Sequence, residues 1–414
     1  MDPIPLSLPF LMDGATGTEL QKRGMPLGAC TEQWALEHPE ALLELQRAYV
    51  EAGAQVLVTP TLGANRGALE KFGLADRVEE YNARLTGLTR QAAAGRALVA
   101  GDLGPTLHAI PPYGETPFEV LVGFYAEQAA ALERAGVDLF LVESVMAMAE
   151  ARAAVLGIRE SGSRRPILVT CYCDEEGRTP SGTDVLACAI VMQGMGVTAF
   201  GLNCVDPAVA EEQLARLHLY TDLPLIAEPS AGLPDLASGK PDYPDNADAF
   251  ARRTPQWAAA GVRIFGGCCG TAPAHIAALG RAMATVDFSA FPPVEKDPDV
   301  IPCASEKEAR FITPDVDVGE TIQCTDHLME DILEAEEERP VGALKIEVLD
   351  TDDLEIFARE QYAVRDALCL WSDVPELLEG ALRAYQGRAF YDGTAELEPE
   401  FLARMSEKYG LILL

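Results

Sequence analysis

Eight apolar runs of strand length recur between residues 8 and 285, and a stretch with helical spacing follows each of them. The runs show little polar alternation, which is typical of parallel strands buried on both faces. They are LPFLMDG, which ends at Asp13 and Gly14, and residues 54–61, 97–104, 137–144, 166–173, 197–204, 223–230 and 262–269. Eight strand–helix units in this length predict an α/β fold, a (β/α)8 TIM barrel.

The pattern changes after residue 287. Residues 288–341 are rich in Pro and acidic side chains and show no clear period, so we expect a linker or strap with a solvated helix in its acidic part. From residue 342 to 414 about four strands and three helices alternate, too few to close a second barrel. The sequence therefore predicts a barrel at 1–287, a strap at 288–341 and a small α/β domain at 342–414.

Composition narrows the range of partners. The 414 residues are 48% hydrophobic and 23% charged, as in globular proteins, and 32 basic against 65 acidic residues give a net charge of −33. Such a charge repels phosphate backbones and anionic lipid, so we expect neither a nucleic acid nor a membrane as partner. The N-terminus lacks a basic region followed by an uninterrupted apolar one, and we expect a cytoplasmic protein with reduced cysteines.

The carboxyl ends of barrel strands meet around one mouth. Cys204 ends the sixth run and the neighbours Cys268 and Cys269 end the eighth, close enough for three thiols to converge on one ion. Three thiolates with an open fourth position are typical of catalytic zinc. Two alternatives for the neighbouring pair are buried packing and a vicinal disulfide, although a disulfide between neighbours is strained. The other polar or sulfur-bearing strand ends are Asp13, Thr59, Thr61, Asp102, Glu143, Cys173 and Glu228.

Seven short motifs in order resemble the landmarks of the homocysteine S-methyltransferase family. They are DGATGTEL (13–20), TPTLGANR (59–66), GDLGPT (101–106), GRTPSGTD (177–184), GLNC (201–204), PSAGLP (229–234) and GGCCGT (266–271). The resemblance covers roughly residues 8–285, and GLNC with GGCCGT is its most specific part. It implies a (β/α)8 barrel with catalytic Zn²⁺ held by Cys204, Cys268 and Cys269, and methyl transfer to homocysteine to give methionine.

The resemblance also implies how the amino acid is held. Asp13 and Glu143 would bind the α-ammonium of homocysteine, and backbone N–H groups at Gly14 and Ala15 would hold its carboxylate. A strand-end carboxylate has an alternative role, which is to cap a neighbouring helix. Asn203, beside a metal ligand, would orient the site from behind it. Zinc deprotonates a coordinating thiol, so the substrate sulfur would become the nucleophile.

Two departures from the family leave the identity of the acceptor open. The second landmark is TPTL, with Pro60 and Leu62 where the family usually has Asn and Phe, and Glu228 stands where a neutral or basic residue is usual. The alternatives are therefore a different thiol acceptor, or a scaffold subunit of a corrinoid methyltransferase system. The donor would be a methylated corrinoid protein or a small methyl sulfonium or ammonium compound. We expect residues 342–414 to pack on the barrel, on a second copy in a homo-oligomer or on a methyl carrier, and to bind no folate.

Overall fold

A computed structural model of the protein describes residues 3–234, 243–338 and 342–414. Its first part is an eight-stranded parallel sheet in the order β1-β8-β7-β6-β5-β4-β3-β2. The strands are β1 (Phe10–Leu11), β2 (Val56–Val58), β3 (Leu98–Leu103), β4 (Leu139–Val145), β5 (Ile167–Cys171), β6 (Ala199–Asn203), β7 (Leu225–Glu228) and β8 (Val262–Phe265). Seven of them lie within a predicted apolar run, and β4 extends one residue beyond its run. The fold predicted for this part, a TIM barrel, is confirmed, with the barrel nearly closed.

Helices surround the sheet. They are α1 (Gly17–Lys22), α2 (Thr31–Glu37), α3 (Pro39–Glu51), α4 (Arg66–Glu70), α5 (Val78–Ala93), α6 (Phe118–Ala135), α7 (Met148–Glu160), α8 (Val185–Gly194), α9 (Pro207–His218), α10 (Ala247–Ala251), α11 (Thr254–Ala259) and α12 (Pro273–Met283). α6 ends at Gly136 in a left-handed backbone conformation (φ 84°), which glycine adopts without steric cost. None of the helices in the described ranges is both long and apolar enough to cross a membrane.

The barrel closes between β1 and β2 through single contacts. Met12 forms an isolated parallel bridge with Val56, and the Gln55 N–H donates to the Leu11 carbonyl at 2.7 Å. The Asp13 carboxylate accepts a hydrogen bond from the Val58 N–H at 3.1 Å. Apolar side chains fill the interior below this level: Phe10, Met12, Val56, Ala100, Leu139, Leu141, Leu168, Ala199, Ile226 and Ile264.

The C-terminal part is a five-stranded parallel sheet in sequential order, preceded by an antiparallel hairpin. Its elements are β9 (Ile301–Ala304), β10 (Ala309–Ile312), β11 (Thr321–Gln323), α13 (Leu328–Glu338), β12 (Ala343–Glu347), α14 (Thr351–Glu360), β13 (Ala367–Trp371), α15 (Pro375–Ala384), β14 (Phe390–Tyr391), α16 (Pro399–Tyr409) and β15 (Ile412–Leu413). Three-residue 3₁₀ turns occur at Ala75–Arg77, Phe288–Ala290 and Gln361–Ala363. The hairpin β9–β10 buries Cys303 and Ile312 against one face of the sheet.

This topology differs from the boundary at residue 342 that the sequence suggested. β11 pairs in parallel with β12, and α13 buries Leu328 and Ile332, so part of the expected strap belongs to the C-terminal sheet. The local pattern conceals this because β11 has only three residues and both Thr321 and Gln323 are exposed. We therefore treat residues 301–414, from β9 to β15, as one C-terminal unit.

The C-terminal unit packs on the barrel of its own chain. α8 contacts β9, β10 and α16, and its residues from Val185 to Met192 are all buried, which explains why this helix is apolar on every side. Arg152 of α7 is fully buried, and its guanidinium donates to the Leu382 carbonyl at 2.8 Å and to Gln386 Oε1 at 3.1 Å. The sequence analysis expected the C-terminal residues to pack on the barrel, on a second copy or on a methyl carrier, and the structure shows packing on the barrel.

Candidate functional site

The three cysteines lie where β6 and β8 end. Cys204 follows β6 directly and has a left-handed backbone (φ 58°), which is costly for a residue with a side chain and is found mostly at functional sites. Its N–H donates to the Glu228 carbonyl at 3.1 Å, and the Cys268 N–H donates to the Pro229 carbonyl at 2.9 Å. The end of β7 therefore fixes both cysteine segments.

Glycine is required before the cysteine pair. A Cβ on Gly267 would lie 2.7 Å from the Thr271 side chain, closer than real Cβ contacts come. Thr271 in turn accepts a hydrogen bond from the Ala15 N–H at 3.1 Å and donates to the Cys268 carbonyl at 2.7 Å. The GGCCGT turn is thus packed directly against the DGATG segment of the first strand.

The sulfur atoms of Cys204, Cys268 and Cys269 all lie within 4.8 Å of one another. Cys269 Sγ is 3.7 Å from Cys204 Sγ and 4.0 Å from Cys268 Sγ. Cys204 and Cys268 form a disulfide, with their Cα atoms 5.2 Å apart. The sequence analysis expected reduced cysteines, and this pair is the exception. The two sulfur atoms can bond because they converge on one point, which is also what binding of a shared metal ion requires. Once the disulfide is reduced, the three thiols fit a metal ion. The other eight cysteines are free.

A cavity of about 200 Å³ opens beside the sulfur cluster. Besides Glu32 of α2, four carboxylates line it from four different strand ends, those of Asp13, Asp102, Glu143 and Glu228. Burial raises the pKa of Glu143 to about 7, and raises the pKa values of the other three well above their usual range. For Asp13, Asp102 and Glu228 the charges of neighbouring carboxylates add to this effect, since like charges disfavour ionisation, whereas a hydrogen bond with Asp102 lowers the pKa of Glu143. We call these four residues the acidic ring.

Asn203 connects the fourth and sixth strand ends. Its Oδ1 accepts from the Ser144 N–H at 3.0 Å, and its Nδ2 donates to Ser144 Oγ at 2.9 Å and to Glu143 Oε2 at 3.4 Å. Its Nδ2 also lies 4.0 Å from Cys268 Sγ. Ser144 has a left-handed backbone (φ 59°), as Cys204 does. Asn203 therefore joins the candidate ammonium-binding carboxylate to the sulfur cluster.

The turn that contains Gly14 and Ala15 lines the same cavity. The Ala15 N–H is already bound to Thr271, and the Ala15 carbonyl accepts from Tyr49 OH at 2.8 Å. A Cβ on Gly14 would lie 2.9 Å from that hydroxyl, so the close packing requires glycine. The segment that follows, Thr16 to Thr18, also lines the cavity and has N–H groups nearer the start of α1.

Sequence reasoning missed Tyr243, Thr271 and Ser144. The Tyr243 hydroxyl hydrogen-bonds the Cys269 sulfur, and burial together with this contact raises the pKa of Tyr243 to about 12. No local signal marks Tyr243, because it belongs to the long segment after β7 and reaches the cluster only in the fold. Ser144 and Thr271 stand next to or within the strand-end motifs, which is a weak indication of a role at the site. Their hydrogen-bond partners, Asn203 and Ala15, are far away in sequence.

Comparison with known proteins decides the family. Residues 10–283 match the family model described as homocysteine S-methyltransferase, and these make up more than half of the chain. The chain belongs to the homocysteine S-methyltransferase family. Over 292 residues, 66% of this chain, it is 32% identical to the methionine synthase of Mycobacterium tuberculosis (strain ATCC 25618 / H37Rv), and it is 31% identical over 302 residues to that of Mycobacterium leprae (strain TN). It spans only about a quarter of the length of either enzyme, 24% and 25%.

Solved structures agree with this assignment. The homocysteine methyltransferase MmuM from Escherichia coli, in its metallated form, superposes with a TM-score of 0.55 at 28% identity, covering 66% of this chain and 95% of that one. Its oxidized form gives the same TM-score at 29% identity. The family, enzyme class and fold that the sequence motifs implied are therefore confirmed.

Proposed function

We propose that the protein transfers a methyl group to the thiol of homocysteine, giving methionine, with Zn²⁺ held by Cys204, Cys268 and Cys269. The observation that carries the proposal is the convergence of three sulfur atoms at the edge of a cavity lined by carboxylates. A bound zinc would supply a deprotonated, nucleophilic substrate sulfur at neutral pH. The disulfide and the metal would be alternative states of the same thiols, so we place the active protein in a reducing compartment such as the cytoplasm.

The protein's own residues orient the amino acid. Glu143 and Asp13 would bind the α-ammonium, with Asn203 fixing Glu143 and the Val58 N–H fixing Asp13. Free N–H groups of the Gly14–Thr18 segment would hold the carboxylate, as turns at a helix start commonly do. The Tyr243 hydroxyl would hold the Cys269 sulfur from outside the cluster. Homocysteine would thus lie with its sulfur toward the cysteines and its charged ends toward β1 and β4.

Two alternatives remain within this framework. The first is a different thiol acceptor. Glu228 favours it, because homocysteine has a single ammonium, which Glu143 and Asp13 would bind, and Glu228 adds a further carboxylate to the cavity. A scaffold subunit without activity is disfavoured, because the cysteines, the acidic ring and Asn203 all converge on one cavity. The donor in this proposal is either a methylated corrinoid protein or a small sulfonium or ammonium compound.

A direct assay tests the proposal. The full chain is reduced, loaded with zinc and quantified for metal, then incubated with homocysteine and a panel of methyl donors that includes a methylated corrinoid protein, while methionine is measured. We expect methionine from at least one donor, and none from zinc-free protein or from Cys268→Ser. Zinc-loaded protein that binds homocysteine and yields no methionine with any donor would support the scaffold alternative. Methylation of cysteine in preference to homocysteine would indicate another acceptor.

A further inference from the structure

A second cavity, of about 640 Å³, lies at the end of the barrel opposite the sulfur cluster. Residues just before β1, β7 and β8 line it, and the segment that begins with the 3₁₀ turn Phe288–Ala290 forms another part of its wall. Volumes of a few hundred Å³ are typical of sites for small organic ligands. We call this cavity the basal pocket. Active sites of this fold lie at the carboxyl ends of the strands, so the proposed methyl transfer does not use it.

The basal pocket has an excess of basic side chains. Three of them, His218, Arg263 and Lys296, line it together with a single carboxylate, that of Asp222. The whole chain has 65 acidic and 32 basic residues, and the cavity beside the sulfur cluster has five carboxylates and no Lys, Arg or His among its described lining residues. Cations that gather in one cavity of so acidic a protein indicate a site that attracts anions.

The guanidinium of Arg263 is held in place without being neutralised. It donates to the backbone carbonyls of Ala258 at 3.1 Å and of Val262 at 2.8 Å, and to that of Phe291. It pairs with no carboxylate among the residues that the structure describes. Burial lowers the pKa of Arg263, the direction expected where no neighbouring acid stabilises the charge. The fold therefore fixes the position of this cation and leaves its charge available to a ligand.

His218, the last residue of α9, faces the same cations. Burial lowers the pKa of His218, and the positive charges of Arg263 and Lys296 lower it further. Its ring packs over Gly261, where a Cβ would lie 2.3 Å from Nδ1, so this close approach requires glycine. Neither ring nitrogen has a hydrogen-bond partner within the described ranges. An anion between these groups would give His218 an acceptor and would favour its charged form.

Lys296 has a partner that a ligand can replace. Its ammonium donates to the Asp222 carboxylate at 2.5 Å. The Asp222 side chain is 73% exposed, whereas that of Lys296 is 24% exposed. Ion pairs that are open to water contribute little to stability, so the exchange of Asp222 for a bound anion costs little.

The rest of the wall is apolar, and this determines what kind of anion fits. The Phe288 ring lies 5.5 Å from the guanidinium carbon of Arg263, so an aromatic surface stands beside the cation. An inorganic ion would leave this surface in contact with water, whereas an anion with an apolar body would cover it. Six further apolar residues line the pocket: Leu8, Pro9, Leu223, Pro224, Pro293 and Val294.

We propose that the basal pocket binds a small organic anion, a carboxylate or phosphate on an apolar body, between His218, Arg263 and Lys296. The site is separate from the proposed methyl transfer and does not depend on it. A bound anion would join α9 and β8 to the segment that carries Lys296 and leads into the C-terminal unit. Because the ligand binds only the folded chain, it would also raise the melting temperature.

Calorimetry with matched probes tests the pocket. Reduced, zinc-loaded full-length protein is titrated with 2-naphthoate and with its uncharged amide, 2-naphthamide, while excess homocysteine occupies the cavity beside the sulfur cluster. We expect the naphthoate to bind at least about tenfold more tightly, as a contact to a charged group provides. A third probe, 2-naphthyl phosphate, shows by its affinity relative to naphthoate which anionic group the pocket prefers. Equal binding of naphthoate and naphthamide, or no binding of either anion, would overturn the proposal.

The double variant His218→Gln/Lys296→Gln removes two of the cations and leaves Arg263 opposite Asp222, so that the pocket has no net charge. The ratio of naphthoate to naphthamide affinity is expected to fall to about one. Neither changed side chain is fully buried, and we expect the melting temperature without ligand to stay near the wild-type value. A wild-type ratio in this variant would contradict the site.

His327→Gln/Lys408→Gln is the matched control. It removes the same two residue types from the C-terminal unit, where His327 lies 3.1 Å from Glu330 and Lys408 lies 2.7 Å from Glu379. Neither residue lines the basal pocket. The control variant is expected to keep the wild-type ratio. A ratio that falls equally in both double variants would show a general effect of net charge and would overturn the site.

Histidine resonances locate the anion in the wild type itself. The chain has five histidines, and the resonance that is missing from the spectrum of His218→Gln belongs to His218. With ¹³C-labelled histidine, we expect naphthoate to shift this resonance more than the other four. A purely structural role of His218 would not produce this shift. Shifts confined to other histidines would place the anion elsewhere and would contradict the proposal.

Zinc removal separates this inference from the proposed function. Naphthoate affinity is expected to be the same in zinc-free protein and in Cys268→Ser as in the zinc-loaded wild type. If the affinity disappears with the zinc, the anion binds at the sulfur cluster and the basal assignment is wrong. A preserved preference for naphthoate in a protein that forms no methionine from any donor would contradict the proposed function and support the basal pocket.

Discussion

Cys269 is the one cysteine of the sulfur cluster that is not disulfide-bonded in the structure. If Cys269 is a metal ligand, the reduced wild type is expected to hold about one zinc per chain. Cys269→Ser is expected to hold much less, because a hydroxyl is a poor zinc ligand. Metal analysis after reduction, zinc loading and desalting measures this. Cys324→Ser is the control, since Cys324 Sγ donates to the Glu347 carbonyl far from the cluster and a hydroxyl can do the same. Full zinc in Cys269→Ser would remove Cys269 from the ligand set.

Glu143 is the residue whose loss separates substrate binding from metal binding. Glu143→Gln keeps the shape of the side chain and is expected to weaken homocysteine binding by roughly 2–4 kcal/mol, as loss of one partner of a buried charge pair does. Zinc content stays at the wild-type value, because Glu143 is no ligand in the proposed set. Calorimetry with homocysteine and zinc-loaded protein measures the effect. Unchanged affinity would assign the ammonium to other carboxylates.

The pKa of Glu143 also predicts how stability depends on pH. Burial raises it from 4.5 to about 7, so the folded protein holds this proton more tightly than the unfolded chain does. The resulting stability is full below the unfolded value of 4.5 and is lost as pH rises through 7, an effect of up to roughly 3 kcal/mol. Metal-free, reduced wild type is therefore expected to lose more stability between pH 5 and pH 8 than Glu143→Gln. Chemical denaturation at each pH measures the free energy of unfolding. An equal change of this free energy between pH 5 and pH 8 in the two proteins would contradict the assignment.

At the scale of elements, the turn of the hairpin β9–β10 holds loops at the mouth of the barrel. Lys307 Nζ donates to the Ser181 carbonyl at 2.7 Å and lies 4.6 Å from the centre of the Tyr113 ring. The Ser181 N–H donates to the Met146 carbonyl at 3.2 Å, three residues after Glu143. One turn of the C-terminal unit thus touches the loops that follow β3 and β5 and, through Ser181, the loop after β4.

Lys307→Ala is expected to loosen these loops and to raise the KM for the methyl donor about fivefold, which corresponds to roughly 1 kcal/mol, the typical net value of one hydrogen bond. Zinc content and homocysteine affinity are expected to stay unchanged, and Lys307→Arg is expected to restore part of the loss. Lys296→Ala, which removes the ion pair with Asp222 elsewhere on the barrel, serves as control. A melting temperature that falls with no change in KM would show that the turn contributes to stability only.

For the whole molecule, the docked C-terminal unit predicts that the barrel does not fold alone. A chain ending at residue 290 would expose the buried faces of α7 and α8 and leave the guanidinium of Arg152 without Leu382 and Gln386. Large exposed apolar surface and an unpaired buried charge are each severely destabilising, so we expect aggregation. Size-exclusion chromatography and circular dichroism measure this. A monomeric, folded truncation that binds zinc would show that the C-terminal unit is an independent addition.

Only part of the molecule could be determined from the sequence itself. Continuous apolar runs determined the eight barrel strands, because parallel strands buried on both faces need apolar residues at every position. Short motifs around Cys204, Cys268 and Cys269 determined the family, since the residue types that a chemistry requires recur at fixed places in a fold.

The tertiary structure decided what depends on contacts between distant segments. It places β11 in the C-terminal sheet, which three residues with exposed side chains could not indicate. It brings Tyr243 to Cys269, and Thr271 to the Ala15 N–H, across separations that no local period records. It also leaves Oδ1 of Asp102 and Oε2 of Glu228 buried without a hydrogen-bond partner among the described residues, because the contacts of a buried polar atom are set only when every neighbouring strand is in place.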